Sequence, residues 1–543
     1  MIMKWKFFII ALMIYEGYWA QQSCNKFLHF RSKKNDAVFK TREFNNHIIV
    51  TGYSFDSLFI NNNFIHYDTA YAFILELDNN NNIVFSKYFS LIDYPNSSNY
   101  IRCIDALKDG VGNYYVLLHW SGTIMPDGSN SINASTGMMV LKILPNGNVA
   151  WTYHIDNVTP TSLCFDKNYD IVILAGTPYS YPQVYVPSNL IIINFNSSNG
   201  QIKRTKIGSN AFSKITSGKI HYNQNYFYIS CSFKDSIYFN SSQTIKKTGY
   251  AAAIVKLDTN FNIVKYATLN AASSQSVSLN DFIVDNNQDV FICGNYKSLN
   301  LYVNDTIRLT NSSSLSETMY LVKLNSQLQY QWAKQEIQNP SGNSNYKIRD
   351  AYAIATSNNN DVYVLSRLFN SVILGNDTIS GTSLLIIQYD KNGNYIQSEK
   401  IAGNNTGGVY TLNYLQNANQ LIVSATFNSS VSVCQNTLNA GGLDDAYLVW
   451  MDKLTFISEN TPTSYSCKIY PNPADDKIYV HFNSTIITPV FYTISDVCGK
   501  IVVNELLLKD YFINTNHLQP GIYVLTIYNN TDIREQHKLI VRH

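Results

Sequence analysis

Apolar runs closed by polar turns recur along most of the chain. They are YAFILELDNNNN (71–82), MMVLKILPNGN (138–148), LIIINFNSSNG (190–200), AAIVKLDTNFN (252–262), MYLVKLNSQLQ (319–329), LLIIQYDKNGN (384–394) and AYLVWMDKL (446–454). Their strand-end residues, Asp78, Leu144, Asn196, Asp258, Asn325, Asp390 and Asp452, lie 52 to 67 residues apart. A fixed period of this kind marks a repeat architecture. A second apolar phrase recurs between the runs: HIIVTGYSF (47–55), NYYVLLHWSG (113–122), DIVILAGT (170–177), YFYISCSF (226–233), DVFICGNY (289–296), DVYVLSRLF (361–369) and QLIVSATF (420–427). A strand-like piece precedes most of these, such as DFIVDNNQ (281–288), and another follows the first phrase, such as NIVKYATL (262–269). Four strands in each of seven units predict an all-β chain with a seven-bladed β-propeller over residues 21–460. A single small sheet cannot bury both faces, so the units must stack, and placing them radially protects their edges.

Two details sharpen this expectation. The units are longer than four strands need, and the excess, as in LYVNDTIRLTNSSSLSET (301–318), alternates on its own, predicting an extra hairpin or long arm on most blades. The fourth strand of the last unit is stunted, while KFLHFRS (26–32) is an orphan strand ahead of the first. If the orphan completes the last sheet, the ring closes with both of its ends in one blade. The rival arrangement, a linear array of β-sandwiches, needs about 100 residues per immunoglobulin-like domain, longer than these units.

The repeat resembles the bacterial beta-propeller repeat family of exported proteins over residues 25–460, in its Val-Tyr-Val-x-Gly-like strand, long arm and Phe-Ile-x-Lys-Leu-Asp-x-Asn-Gly strand. The third-strand lysine stands at Lys142, Lys256 and Lys323 and is replaced by Glu76, Asn194, Gln388 and Trp450. The resemblance implies a propeller and no particular reaction.

After Asn460 the pattern stops. Residues 461–467 read as a Thr/Ser/Pro linker, and residues 468–543 restart as a small antiparallel, immunoglobulin-like β-sandwich. Pro471 and Pro473 fix φ and remove two amide donors, which suits a rigid lead-in to an edge strand. Strands are expected at 477–482, 490–496, 500–507, 521–529 and 537–543. Four motifs occur in order: Tyr470-Pro471-Asn472-Pro473, Ile494-Ser-Asp496 with Gly499-Lys500, Leu518-x-x-Gly521-Ile-Tyr523, and a terminal run from Lys538. These resemble the type A C-terminal sorting domain of type IX secretion. The resemblance implies export by a signal peptide, passage across the outer membrane through the type IX machinery, and an extracellular or cell-surface destination. Cys498, inside the second motif, departs from the pattern.

Residues 1–20 fit a signal peptide, with Lys4 and Lys6 ahead of the apolar FFIIALMIY (7–15) and Ala20 as the last residue before cleavage. The competing reading is a membrane anchor, but the run is short of the about 20 residues of a spanning helix. No transmembrane segment is expected in the mature chain. With 40 basic and 38 acidic residues the net charge is +2, which directs no strong field at nucleic acid. Eight cysteines at irregular spacing are too sparse for a disulfide scaffold. Cys231 and Cys293 read as small buried hydrophobes, and no pairing follows from the spacing.

Local catalytic motifs are missing from the sequence. Asp258-Asn260-Asn262 and Asp390-Asn392-Asn394 suggest calcium, but the sixth and twelfth loop positions are Ile263 and Leu269, or Tyr395 and Ile401, where Gly and Glu are required. They read instead as turns, as does Asp127-Gly128. Trp151 and Trp332 hold equivalent fourth-strand positions and are expected to pack between blades. No catalytic, cofactor or metal residues are assigned. The expected function is a non-enzymatic binding scaffold for a glycan or another protein. The alternative is a secreted polysaccharide hydrolase or lyase with its site in the central funnel. Whether polar acidic and aromatic side chains converge at one mouth of the channel would separate the two.

Overall fold

The computed structural model describes residues 24–542 apart from 67, 94–98, 178–188, 210–217, 240–242, 272–274, 312–316, 336–346, 376, 404–407, 409, 435, 453–466, 483–489, 497–499, 508–510 and 529–533. The expected signal peptide, most of the linker and Cys498 lie outside the described residues. The regular structure of the described residues is entirely β. The chain divides into two compact units, Met1–Lys453 and Leu454–His543.

In the larger unit a run of four antiparallel strands recurs seven times among the described residues. In the first run Asp36–Phe44 pairs with His47–Ser54, which pairs with Tyr71–Leu77, which pairs with Ile83–Ser90. The last run is Tyr410–Leu415, Gln420–Phe427 and Asp445–Asp452, and its fourth strand is Cys24–Arg31. The orphan strand of the sequence therefore does complete the last sheet, with Phe27 opposite Val449 and His29 opposite Tyr447. A disulfide joins Cys24 to Cys434, whose Cα atoms are 5.4 Å apart.

The third strands are the most deeply buried. Every residue of Tyr71–Leu77 and of Ser383–Tyr389 is buried, because each sheet has another sheet on both faces. Apolar clusters span consecutive runs. One joins Phe73 and Val50 of the first run to Leu448, Leu415 and Phe30 of the last. The first strands, namely Asp36–Phe44, Tyr100–Lys108, Thr159–Phe165, Ile220–Asn223, Ser276–Val284, Lys347–Thr356 and Tyr410–Leu415, touch one another in cyclic order, the last touching the first. They form an inner wall around a common axis.

Neighbouring runs are tied at their turns. Trp151 donates its indole N–H to the Ser197 carbonyl (3.2 Å) and Trp332 to that of Lys391 (3.3 Å), each in the next run. The turn glycines Gly200 and Gly393 sit at φ +72° and +80°, and a Cβ on either would strike the indole. The third-strand Lys256 reaches the Ser326 carbonyl of the next run at 3.0 Å. Where Glu76 replaces that lysine, the next run supplies Lys108 at 2.8 Å and the tie survives with its charges exchanged. In the Asp258 and Asp390 turns one carboxylate oxygen takes the amides of Asn260 and Asn262, or of Asn392 and Asn394, at 2.8 Å. Their role is local turn closure.

The Ser/Asn-rich connectors between second and third strands are not simple surface loops. The hairpin Leu58–Ile60/Asn63–His66 pairs back onto the closing strand (Phe30 opposite Ile60), and Asn300–Val303 onto Ile263–Asn270 of the preceding run (Leu269 opposite Val303). Asn61 and Asn304, both at φ 49°, bond the backbone of His29 and Thr268 with side-chain oxygens. These arms cover outer edges that would otherwise offer unpaired amides.

The smaller unit has two sheets sharing one apolar core that includes Ile478, Ile494, Leu525 and Leu539. One sheet orders Cys467–Tyr470, Lys477–Phe482 and Phe512–Asn514; the other orders Ile501–Leu507, Val490–Asp496, Gly521–Tyr528 and Arg534–Val541. Two strands go beyond the sequence reading. Cys467, assigned to the linker, begins a strand and is 5% exposed, so the turn at Tyr470–Pro473 joins two strands rather than leading into one.

Candidate functional site

The inner wall carries the chemistry of the larger unit. A β-bulge recurs at one level of five first strands, between Val38 and Lys40, Cys103 and Asp105, Pro160 and Ser162, Leu279 and Asp281, and Ala351 and Ala353. An extra residue re-aims the side chains around it. The residue after the bulge reaches sideways to the next run: Asp105 accepts the Leu163 amide (3.3 Å), Ser162 that of Ile220 (3.4 Å) and Asp281 that of Ile354 (3.2 Å).

Charge is concentrated at this level. Arg42 grips Asp105 with two parallel bonds of 2.7 and 2.6 Å and gives a third to the Leu163 carbonyl. Burial alone would raise the Asp105 carboxyl, but the guanidinium more than offsets this and holds it below the usual range. Lys219 pairs with Asp281 at 2.5 Å. Lys40 lies within electrostatic reach of all four groups. Burial, reinforced by Lys219 and Arg42, lowers its amine to about 8. Burial and the same two cations lower His221 to about 4, leaving a neutral imidazole at pH 7. Lys40, Arg42, Lys219 and His221 all keep some water-accessible surface.

Aromatic side chains gather toward the N-terminal ends of the first strands. Tyr352, the residue extruded by its bulge, stacks on Tyr410 with centroids 4.0 Å apart and planes 14° apart. The Tyr352 hydroxyl donates to Asp350 at 3.3 Å. In the first two runs the Arg102 guanidinium lies 5.1, 5.7 and 5.9 Å from the rings of Tyr100, Tyr53 and Phe39. Phe39 is also the residue extruded by its bulge. Tyr53 packs on Phe55 at 5.1 Å. Polar and aromatic groups thus gather in two clusters, one in the last two runs and one in the first two.

Sequence reasoning did not single out these residues. Trp151 and Trp332 are ties between runs, as expected. Cys231 and Cys293 are fully buried, and Asp127 takes the amides of Ser129 and Asn130 in its turn. Among the described residues no group of three or more His, Cys, Asp or Glu side chains is placed to hold a metal.

The smaller unit organises its motif residues around the last strand. Asn472 donates to the Lys538 carbonyl at 2.6 Å and accepts from the Ile540 amide at 2.9 Å. Ala474 continues this clasp, donating to Ile540 and accepting from Arg542, both at 2.7 Å. Asp496 and Lys500 exchange two bonds of 3.0 Å across their turn; Gly499 lies outside the described residues. Leu518 is in the core, and Tyr523, two residues past Gly521, donates to the Gln519 carbonyl at 2.8 Å. Tyr470 is half exposed and stacks with Tyr479 at 6.0 Å. The first and last motifs, far apart in sequence, are one structural element.

No curated protein is similar to the chain. Among solved structures, the Dos1 propeller has a TM-score of 0.40 at 9% identity, covering 80% of this chain and 96% of its own. A polysaccharide lyase of family PL25, an ulvan lyase, has 0.39 at 8%, covering 78% and 94%. A quinohemoprotein alcohol dehydrogenase from Comamonas testosteroni has 0.38 at 9%, covering 82% and 78%. Likenesses of this order carry no argument about activity. No helix of the described residues is long and apolar enough to cross a membrane. Residues 468–542 match the family described as "Secretion system C-terminal sorting domain". The chain therefore ends in a type IX sorting domain that engages the secretion machinery, and the protein is exported to the cell surface or released from it.

Proposed function

We propose that the seven runs are the blades of a closed β-propeller, that the smaller unit is an immunoglobulin-like sandwich acting only in delivery, and that the propeller is a non-enzymatic binding scaffold displayed or released after export. The cyclic contacts of the first strands and the pairing of Cys24–Arg31 with Asp445–Asp452 support the ring. The observation that carries the binding reading is the pair of aromatic clusters on the inner wall, Tyr352 stacked on Tyr410 and Arg102 set among Tyr100, Tyr53 and Phe39. The waist carboxylates support it as well. Asp105 and Asp281 are bound to cations and backbone amides, a poor state for a group that must exchange protons during turnover. The ligand class is a glycan or a protein segment.

The signal peptide at 1–20 and the motif residues Tyr470–Pro473, Asp496, Gly499, Lys500, Leu518, Gly521, Tyr523 and Lys538 serve export in this reading. A glycan array probed with the full chain, run beside a turnover assay on the same sugars, tests the binding role. Binding without turnover is expected, and turnover of any bound sugar overturns the scaffold reading in favour of a hydrolase or lyase. For delivery, removing residues 465–543 should leave the propeller's melting temperature nearly unchanged and strand the protein in the periplasm of a host with this secretion system. A truncated chain that still reaches the surface refutes the delivery role.

A further inference from the structure

The three-stranded sheet of the smaller unit alternates cleanly. Ile478, Val480 and Ile513 turn into the core, while Lys468, Tyr470, Lys477, Tyr479, His481 and Phe512 turn outward and are exposed. Tyr470 lies opposite Tyr479, and Tyr479 lies opposite Phe512. The three rings form one row across all three strands, with 53%, 37% and 43% of their surfaces exposed. Neighbouring strands are about 4.8 Å apart, so the row is about 10 Å long. A single exposed ring is ordinary, whereas a row that crosses a whole sheet is a patch.

The row is fixed by its surroundings. Asn472 and Ala474 tie the turn after Tyr470 to the last strand. Tyr470 stacks on Tyr479 at 6.0 Å, and the Lys477 ammonium lies 5.3 and 5.7 Å from the rings of Tyr479 and Phe512. Lys468 stands opposite His481 beside the row. No carboxylate occupies an outward position of these three strands; Asp475 and Asp476 precede Lys477 in the turn. Ring-to-ring pairing steadies the sheet and leaves the outer surfaces of the rings open.

We propose that this row is the face by which the sorting domain docks on a protein subunit of the outer-membrane secretion machinery, whose matching surface is apolar and edged with carboxylates. This names the contact surface for the delivery role and rests on that reading. Aromatic side chains are enriched in the cores of protein interfaces, and tyrosine is prominent among the residues that dominate their energetics. Lys468 and Lys477 favour an acidic rim on the partner and disfavour a basic one. The Tyr470–Pro473 motif then has two tasks. Its Asn472 clasps the last strand, and its Tyr470 begins the row.

The test is export of the full chain in a host with this secretion system, read as the ratio of surface and released protein to periplasmic protein. Tyr479→Thr with Phe512→Thr should lower that ratio at least about ten-fold while the purified chain keeps its melting profile. Lys468→Glu with Lys477→Glu keeps the rings and should also lower it, which decides the matter if the ring variant fails to fold. Ile501→Thr with Leu506→Thr removes exposed apolar side chains from the other sheet and should leave the ratio unchanged. A photo-crosslinker in place of Phe512 should capture a subunit of the machinery, and one in place of Leu506 should not. Wild-type export of both the ring and the charge variants overturns the inference, as does an equal loss in the Ile501/Leu506 variant. If the chain lacking 465–543 is stranded while the row variants are exported, the delivery role stands and this face is wrong; if that truncated chain reaches the surface, the delivery role itself falls. Ring-dependent binding of the purified chain to lipopolysaccharide vesicles, or ring-dependent dimerisation in sedimentation, combined with wild-type export, reassigns the row to a lipid surface or a second copy and overturns the proposal.

Discussion

The third and first strands of the larger unit lie two positions apart in every sheet, yet they obey different rules. Third strands have a sheet packed against each face, and nearly all their positions are apolar. Tyr71–Leu77 admits one charge, Glu76, and surrounds it with Lys108, His47 and Tyr114. First strands form the inner wall. They hold Lys40, Arg42, Arg102, Asp105, His221, Asp281 and Asp350, with Lys219 just ahead of one of them, and bulges turn some of these aside. Strands that only stack must resemble one another. Strands that face the axis are free to differ, and that is where a ring of similar units becomes specific.

The comparison can be broken most severely at the seam. Deleting residues 24–35 removes the fourth strand of the last sheet, and cooperative thermal unfolding followed by circular dichroism should be lost. A fragment that melts like its parent would falsify closure by this strand. Next come the third strands: Ile254→Ala, at a fully buried position, should cost about 2–5 kcal/mol in denaturant titration.

A waist substitution should cost comparably for a different reason. Asp105→Asn leaves the Arg42 guanidinium, with 28% of its side chain exposed, without its counter-charge, at about 2–4 kcal/mol. Its pH dependence separates it from a packing defect. The folded Asp105 carboxyl lies below its unfolded value, so its stabilisation is present above the ordinary carboxylate range near pH 4 and is lost as pH falls through the depressed value. The wild type should lose its advantage over Asp105→Asn on acidification below about pH 4; a constant gap down to pH 2 would contradict the ion pair. The smallest effect belongs to the ties. Trp151→Phe keeps the ring and loses the bond to Ser197, for about 0.5–1.5 kcal/mol, measured as a midpoint shift without a change in slope.

What was legible in the sequence follows the same division. Third strands showed as continuous apolar runs because burial on both faces leaves no alternation to be missed. The orphan strand showed because a strand without a partner unit is conspicuous in a repeat. The inner wall did not show, since its pairs join residues far apart: Arg42 to Asp105, Lys219 to Asp281. Neither has a local spacing, and a bulge has no sequence signature when the extra residue is Phe39 in one run and Asn280 in another. The Cys24–Cys434 pair spans 410 residues, beyond any spacing argument. In the tail, Phe512–Asn514 is three residues long, too short to show a period, and Cys467–Tyr470 was hidden because the prolines that follow it read as a beginning rather than a turn.

The closing strand also sets an order of events. Cys24–Arg31 leaves the ribosome long before its partner, Asp445–Asp452, which is among the last segments of the larger unit. Until that partner arrives, the first sheet has no neighbour on one side and the apolar cluster joining Phe73 to Leu448 is open. Contacts of such long sequence separation form late. The sorting domain is made later still. A chain cut short anywhere before residue 452 therefore carries two faults together: an unclosed ring, exposed to proteases, and no address for export. Only finished molecules are both durable and deliverable, an inspection built into the order of the sequence.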